Sequence, residues 1–180
     1  MRRFSRLLAI GVAVVATVAA VPGSAYAVGD QSRTLWKNYS NNLCMGVAGG
    51  NSKVQDGAAI ITWTCDGTAN QTWVLSAQSN GTYLIENSVA TSECLSVAAK
   101  SLSVGASVVL WHCKAASDNQ DQEWYLPTDR SAPYNYLWNF NSNLVATAEF
   151  TVNGATVIQA PQGNTWFPLD AWVASCLSSC

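Results

Sequence analysis

Charge is scarce in this chain. Asp, Glu, Lys and Arg make up 11% of its 180 residues, and there is one histidine, His112. Nine basic residues against eleven acidic ones leave no basic face for a nucleic-acid partner. No His/Cys/Asp/Glu spacing matches a metal site, and His112, beside Cys113, reads as a strand residue rather than a base or ligand. No glycine-rich loop sits between a strand and a helix to cradle phosphate, and nothing resembles a nucleophile elbow. Glycoside hydrolysis needs a paired acid and base, and Glu86, Glu93, Glu123 and Glu149 qualify only by being carboxylates. The expectation is a binding protein without metal or cofactor, not an enzyme.

Long apolar runs are missing too, except at the start. Arg2, Arg3 and Arg6 precede the run from Leu7 to Val21, and Ala25-Tyr26-Ala27 supplies a small-x-small cleavage site. The run falls short of the roughly 20 residues that span a bilayer as a helix. Residues 1–27 therefore read as a signal peptide of a secreted, extracellular protein, and no membrane span is expected. Residues 28–180 then form one domain, with six bases facing eleven acids and a net charge of −5.

No stretch holds a helical period for three turns. What is present instead is repetition. Gly57-Ala58, Gly105-Ala106 and Gly154-Ala155 each open a short apolar run, and the glycines are spaced by 48 and 49 residues. An amide two residues before a tryptophan follows each run: Gln71-Thr72-Trp73, Gln122-Glu123-Trp124 and Asn164-Thr165-Trp166. The repeats run over about 34–80, 81–132 and 133–172, with a tail at 173–180. Short β-branched and aromatic runs bounded by Gly, Asn, Asp and Ser recur four times per repeat, which predicts about twelve strands and an all-β fold. Trp73, Trp124 and Trp166 are the expected core of a three-fold arrangement, each able to bury up to about 250 Å².

All six cysteines lie beyond residue 27, where an oxidising compartment would pair them. Cys44 and Cys94 precede the glycine of their repeats, and Cys65 and Cys113 stand two residues after Trp63 and Trp111. Equivalence between repeats gives the bridges Cys44–Cys65 and Cys94–Cys113. Repeat three has Val145 and Gln162 at those positions and no bridge. Cys176 and Cys180 pair with each other or with another chain, and the sequence leaves both open.

Three Q-x-W-like motifs, each preceded by C-L-x-V-like and L-W-x-C-like segments, resemble the ricin B-type β-trefoil lectins over about Leu35 to Trp172. The resemblance implies a six-stranded barrel capped by three hairpins, with up to one shallow sugar pocket per repeat. In that family an acid directly after the C-L pair accepts hydrogen bonds from ring hydroxyls, and an aromatic of the L-W-x-C segment covers the apolar face of the pyranose. Carried onto this chain, the acid positions are Gly46, Ser96 and Thr147, and the aromatic positions are Trp63, Trp111 and Ala160. Polar groups near the Q-x-W motifs are Asn70 and Gln71, Asp121 and Gln122, and Gly163 and Asn164.

The expected glycan contacts are thus Trp63, Asn70 and Gln71 in repeat one and Ser96, Trp111, Asp121 and Gln122 in repeat two. Asp56 or Glu93 from neighbouring loops are the available substitutes for the missing acid. A second expectation follows from that missing acid: a trefoil that has lost the sugar and binds a protein through its loops, for example as a protease inhibitor.

Overall fold

The computed structural model describes residues 30–115, 118, 120–127, 133–163 and 169–178. Repeat one supplies β1 (Arg33–Asn38), β2 (Cys44–Val47), β3 (Ile60–Trp63) and β4 (Thr72–Ala77). Repeat two supplies β5 (Tyr83–Asn87), β6 (Ala90–Val97), β7 (Val108–His112) and β8 (Glu123–Tyr125). Repeat three supplies β9 (Asn135–Tyr136), β10 (Trp138–Asn139), β11 (Val145–Ala148), β12 (Val157–Ala160) and β13 (Ala171–Ser178). Among the described residues the strands number thirteen rather than about twelve, because the first strand of repeat three is interrupted at Leu137.

Pairing runs in a ring. β1 pairs with β4, β4 with β5, β5 with β8, β8 with β10, β9 with β13, and β13 returns to β1. Counting β9 and β10 as one interrupted strand, this is a six-stranded barrel, which leaves no free sheet edge. The hairpins β2–β3, β6–β7 and β11–β12 cap it. The molecule is an all-β β-trefoil.

The glycines that mark the repeats tie the caps together. Gly57, Gly105 and Gly154 have φ of +77°, +84° and +83°, a conformation costly for other residues. In that conformation each donates its N–H to the next hairpin: Gly57 to Leu110 O, Gly105 to Gln159 O and Gly154 to Thr62 O, all at 2.8 Å. The bonds pass cyclically from repeat to repeat, and this explains why the spacing is so regular.

Inward-pointing residues of all three repeats meet in one core. Trp73, Trp124 and Trp172 are fully buried, and their indole Nε1 atoms donate to the carbonyls of Met45 (3.1 Å), Leu95 (2.9 Å) and Ala146 (2.9 Å). These carbonyls occupy equivalent places on β2, β6 and β11. Among the described residues the third tryptophan in this position is therefore Trp172, with Asp170 rather than an amide two residues before it; the sequence expectation was Asn164-Thr165-Trp166. Trp166 and Asn164 lie outside the described residues.

Both predicted bridges are formed, Cys44–Cys65 and Cys94–Cys113, with sequence separations of 21 and 19. Loops of that size are each worth about 3 kcal/mol in the chain-entropy model. Cys176 is also disulfide-bonded, and Cys180 lies outside the described residues. Among the described residues no helix is long and apolar enough to cross a membrane.

Candidate functional site

Two cavities, each of about 610 Å³, sit at equivalent places in repeats one and two. Each is walled by the tryptophan that ends or nearly ends the third strand, Trp63 on β3 and Trp111 on β7. These rings are 47% and 39% exposed, because alternation along β3 and β7 buries Thr62 and Leu110 and turns the tryptophans outward. Each leans on the neighbouring repeat. A Cβ on Gly154 would stand 3.7 Å from Cζ3 of Trp63, and one on Gly57 would stand 3.9 Å from Cζ3 of Trp111. The repeat glycines thus have a second use as the surface against which each pocket ring rests. At Gly105, opposite the ring-less Ala160, an added Cβ meets nothing within 4 Å.

The floor of each cavity depends on the residue directly before the glutamine of the Q-x-W motif. In repeat one Asn70, 8% exposed, fills the space beside Gly46: a Cβ there would lie 3.4 Å from Asn70 Nδ2 and 2.9 Å from Gln71 Cγ. The acid position is thus closed by its own neighbours, and glycine fits where an aspartate does not. Asn70 Nδ2 donates to Val47 O at 3.4 Å, and its backbone N–H donates to Asn51 Oδ1 at 2.8 Å. Asp66 lines the mouth, and the Thr68 hydroxyl and N–H that donate to it hold its carboxyl below the ordinary aspartate range.

In repeat two the carboxylate is delivered from the opposite side. Asp121, 1% exposed, accepts from Ser96 Oγ at 2.8 Å and from Lys114 Nζ at 3.0 and 2.8 Å. Ser96 occupies the family's acid position, so the acid is absent in sequence yet a carboxylate stands at that point in space. Lys114 covers it, making an ion pair whose two side chains are 16% and 1% exposed. Removing one member of such a buried pair strands the other, at a cost of about 3–5 kcal/mol.

Gln71 and Gln122 find the backbone partners that a buried amide needs. Gln71 accepts from the Asp66 N–H at 3.1 Å and donates to Thr64 O at 2.9 Å. Gln122 accepts from the Lys114 N–H at 2.8 Å and donates to His112 O at 3.0 Å. Both amides are spent on the loop after the pocket tryptophan; Gln71 still borders its cavity, whereas Gln122 does not border the other. Residues that sequence reasoning missed are Asn51, Asp66 and Thr68 in repeat one and Lys114 in repeat two. The signal for Lys114 and Asp66 was present, since each directly follows the second cysteine of its repeat.

The expected substitutes for the missing acid are engaged elsewhere. Asp56 accepts from the His112 N–H at 2.5 Å and faces His112 Nδ1 at 3.1 Å. Desolvation pushes the Asp56 carboxyl up, but the two bonds to His112 outweigh it and hold it low. Glu93, directly across the sheet from His112, is pushed up by desolvation and by the Asp56 charge. Repeat three has Thr147, Ala160 and, in the place of Asn70 and Asp121, Leu169, so it offers neither ring nor polar floor.

Two of the three hairpins of this trefoil thus present a cavity with a tryptophan wall and a polar floor. Residues 32–166 match the ricin-type β-trefoil lectin domain, and the chain belongs to that family, which supports a carbohydrate-binding role. Comparison with curated proteins gives no match.

Among solved structures, the chain is similar to the designed three-fold symmetric protein ThreeFoil, with a TM-score of 0.71, 23% identity and coverage of 79% of this chain and 96% of that one. It is similar to 1,3Gal43A, an exo-β-1,3-galactanase from Clostridium thermocellum, with a TM-score of 0.71 and 19% identity over 83% of this chain, spanning 31% of that protein. The Macrolepiota procera ricin B-like lectin, solved with lactose, gives a TM-score of 0.66 at 14% identity over 83% of this chain and 98% of that one. At these identities the likeness bears on the fold alone.

Proposed function

We propose that this protein is a secreted, non-enzymatic carbohydrate-binding protein whose pockets lie at Trp63 in repeat one and Trp111 in repeat two. The observation that carries the reading is the pair of half-exposed indoles, each seated against the preceding repeat's glycine and facing a buried polar floor. A pyranose needs both surfaces: an aromatic face for its C–H side and hydrogen-bonding groups for its hydroxyls. In repeat one the floor is Asn70, with Asp66 at the mouth; in repeat two it is Ser96 and Asp121 under Lys114. Membership of the lectin family supports the same reading.

The magnitudes favour weak single sites used together. A hydrogen bond to a charged group contributes about 1.5–3 kcal/mol, and a millimolar site totals about 4 kcal/mol. Two such sites on one rigid body gain about 10²–10⁴ in apparent affinity on a polymeric glycan. Calorimetric titration of the mature protein with lactose and with neutral oligosaccharides, alongside Trp63→Ala and Trp111→Ala, tests the reading. Each single change should remove one class of site; unchanged stoichiometry in both would refute it.

Secretion belongs to the same proposal and rests on residues 1–27, which lie outside the described residues. N-terminal sequencing of the exported protein should begin at Val28. A second reading, a trefoil that binds a protein through its loops, is favoured by one observation: Lys114 already occupies both carboxylate oxygens of Asp121. Inhibition across a protease panel, insensitive to added sugar, would mark that outcome.

A further inference from the structure

A separate aromatic cleft lies on the outside of the barrel, away from the hairpin pockets. It follows from strand alternation. Asn135, Leu137 and Asn139 point inward and are buried, so Tyr136 and Trp138 point outward from β9 and β10. Trp124 of β8 points inward, so Tyr125 points outward, and the register sets Tyr125 directly opposite Trp138. The three-fold equivalents of that pair are Val74 opposite Glu86 and Val173 opposite Lys37. Two of the three interfaces therefore carry an aliphatic residue against a charged one, and the third carries two rings.

The rings border a cavity of 450 Å³ together with Tyr136, Pro127, Asn143 and Gln162. That volume lies within the range of about 300–1,000 Å³ usual for ligand sites. The stripe continues beyond the cavity: Tyr136 and Tyr134 meet edge to face at 5.6 Å, and Tyr134 and Tyr39 stand 4.9 Å apart. Tyr125 is 53% exposed and Tyr39 is 46% exposed, so large apolar faces are left to solvent along this side. Among the described residues no charged side chain lines the cavity; its polar groups are the amides of Asn143 and Gln162, with the polar atoms of the three rings.

We infer that this cleft is a third carbohydrate-binding site, for an uncharged saccharide, built by Tyr125, Tyr136 and Trp138 with Asn143 and Gln162. The rings supply stacking faces for pyranose C–H surfaces. Each amide supplies a donor and an acceptor, the pairing that neighbouring hydroxyls require. A polyproline segment also suits aromatic grooves, but it offers acceptors alone and leaves the amide oxygens unanswered. Among the described residues the lining offers no cation to pair with a uronate or a sialylated sugar. The cleft lies between repeats two and three, the latter being the repeat whose hairpin has Thr147 and Ala160 in place of an acid and a ring.

The test uses the full mature chain carrying Trp63→Ala and Trp111→Ala, so that the hairpin pockets are silent. Saturation-transfer NMR with cellohexaose, xylohexaose and lactose should still show binding to this double variant. Adding Trp138→Ala, or separately Tyr125→Ser, should weaken it by about tenfold or more, whereas Trp138→Phe should stay within about threefold of the parent. Circular dichroism identifies any variant that fails to fold, and either of the two ring removals suffices for the comparison. No residual binding of any of the three probes, residual binding indifferent to both ring removals, or preferential binding of decaproline would overturn the inference. Because the hairpin tryptophans are absent throughout, its failure is separate from failure of the Trp63 and Trp111 sites.

Discussion

Trp172 Nε1 donates to the Ala146 carbonyl at 2.9 Å, completing for repeat three the bond that Trp73 and Trp124 make in repeats one and two. Both partners are fully buried. Trp172→Phe keeps a ring in the core but leaves that carbonyl without its donor. The expected loss is about 1–3 kcal/mol, read as a lower urea midpoint with an unchanged slope. Trp172→Ala should cost more, about 3–5 kcal/mol.

Asp170 stands where the other repeats have Gln71 and Gln122, and it is 4% exposed. Burial pushes its carboxyl above the ordinary aspartate range, against the Gly163 N–H bond at 3.4 Å that favours the charge. Its folded value therefore exceeds its unfolded one. The folded state holds the proton longer, so this group's contribution is fully present below the unfolded value and is lost as pH rises through the folded one. Asp170→Asn should be close to wild type at acid pH and more stable at neutral pH, shown by denaturation midpoints measured from pH 3 to 7. An unchanged difference across that range would contradict the assignment.

Lys114 and Asp121 form the buried pair under the repeat-two pocket. Lys114→Met strands the carboxylate and should destabilise the protein by about 3–5 kcal/mol. Adding Asp121→Asn to it should recover much of that loss, and the double-mutant cycle measures the coupling. Additivity of the two changes would show that the pair contributes nothing.

Restoring the family's acid in repeat one should not restore a pocket. A Cβ at position 46 would lie 2.9 Å from Gln71 Cγ, and Gln71 is pinned at both ends of its amide. Gly46→Asp should cost about 1–3 kcal/mol through overpacking without strengthening sugar binding, as seen by denaturation and titration of the same preparation.

The fold was largely legible because repetition makes each position testable against two others. The disulfides followed from it directly. The third tryptophan did not, because Trp172 lacks the amide that marks Trp73 and Trp124. Repeat three uses an acid, and Asn164-Thr165-Trp166 offered the expected pattern nearby. Distance from the repeat glycine distinguishes them: Trp73, Trp124 and Trp172 follow theirs by 16, 19 and 18 residues, Trp166 by only 12.

The site was legible in its rings but not in its floor. Trp63 and Trp111 occupy family positions, whereas the carboxylate of repeat two comes from Asp121, whose approach to Ser96 depends on the meeting of two distant segments. The outer aromatic cleft was hidden for the same reason, since Tyr125 and Trp138 face each other only through the strand register.

The central claim is that Trp63 and Trp111 hold glycan. It is tested most directly by a glycan array of the mature protein and of the Trp63→Ala/Trp111→Ala variant at matched concentration. The account predicts a defined set of bound glycans for the first and a loss of about 10²-fold or more in apparent affinity for the second. No bound glycan for the mature protein, or equal binding by the variant, would contradict it.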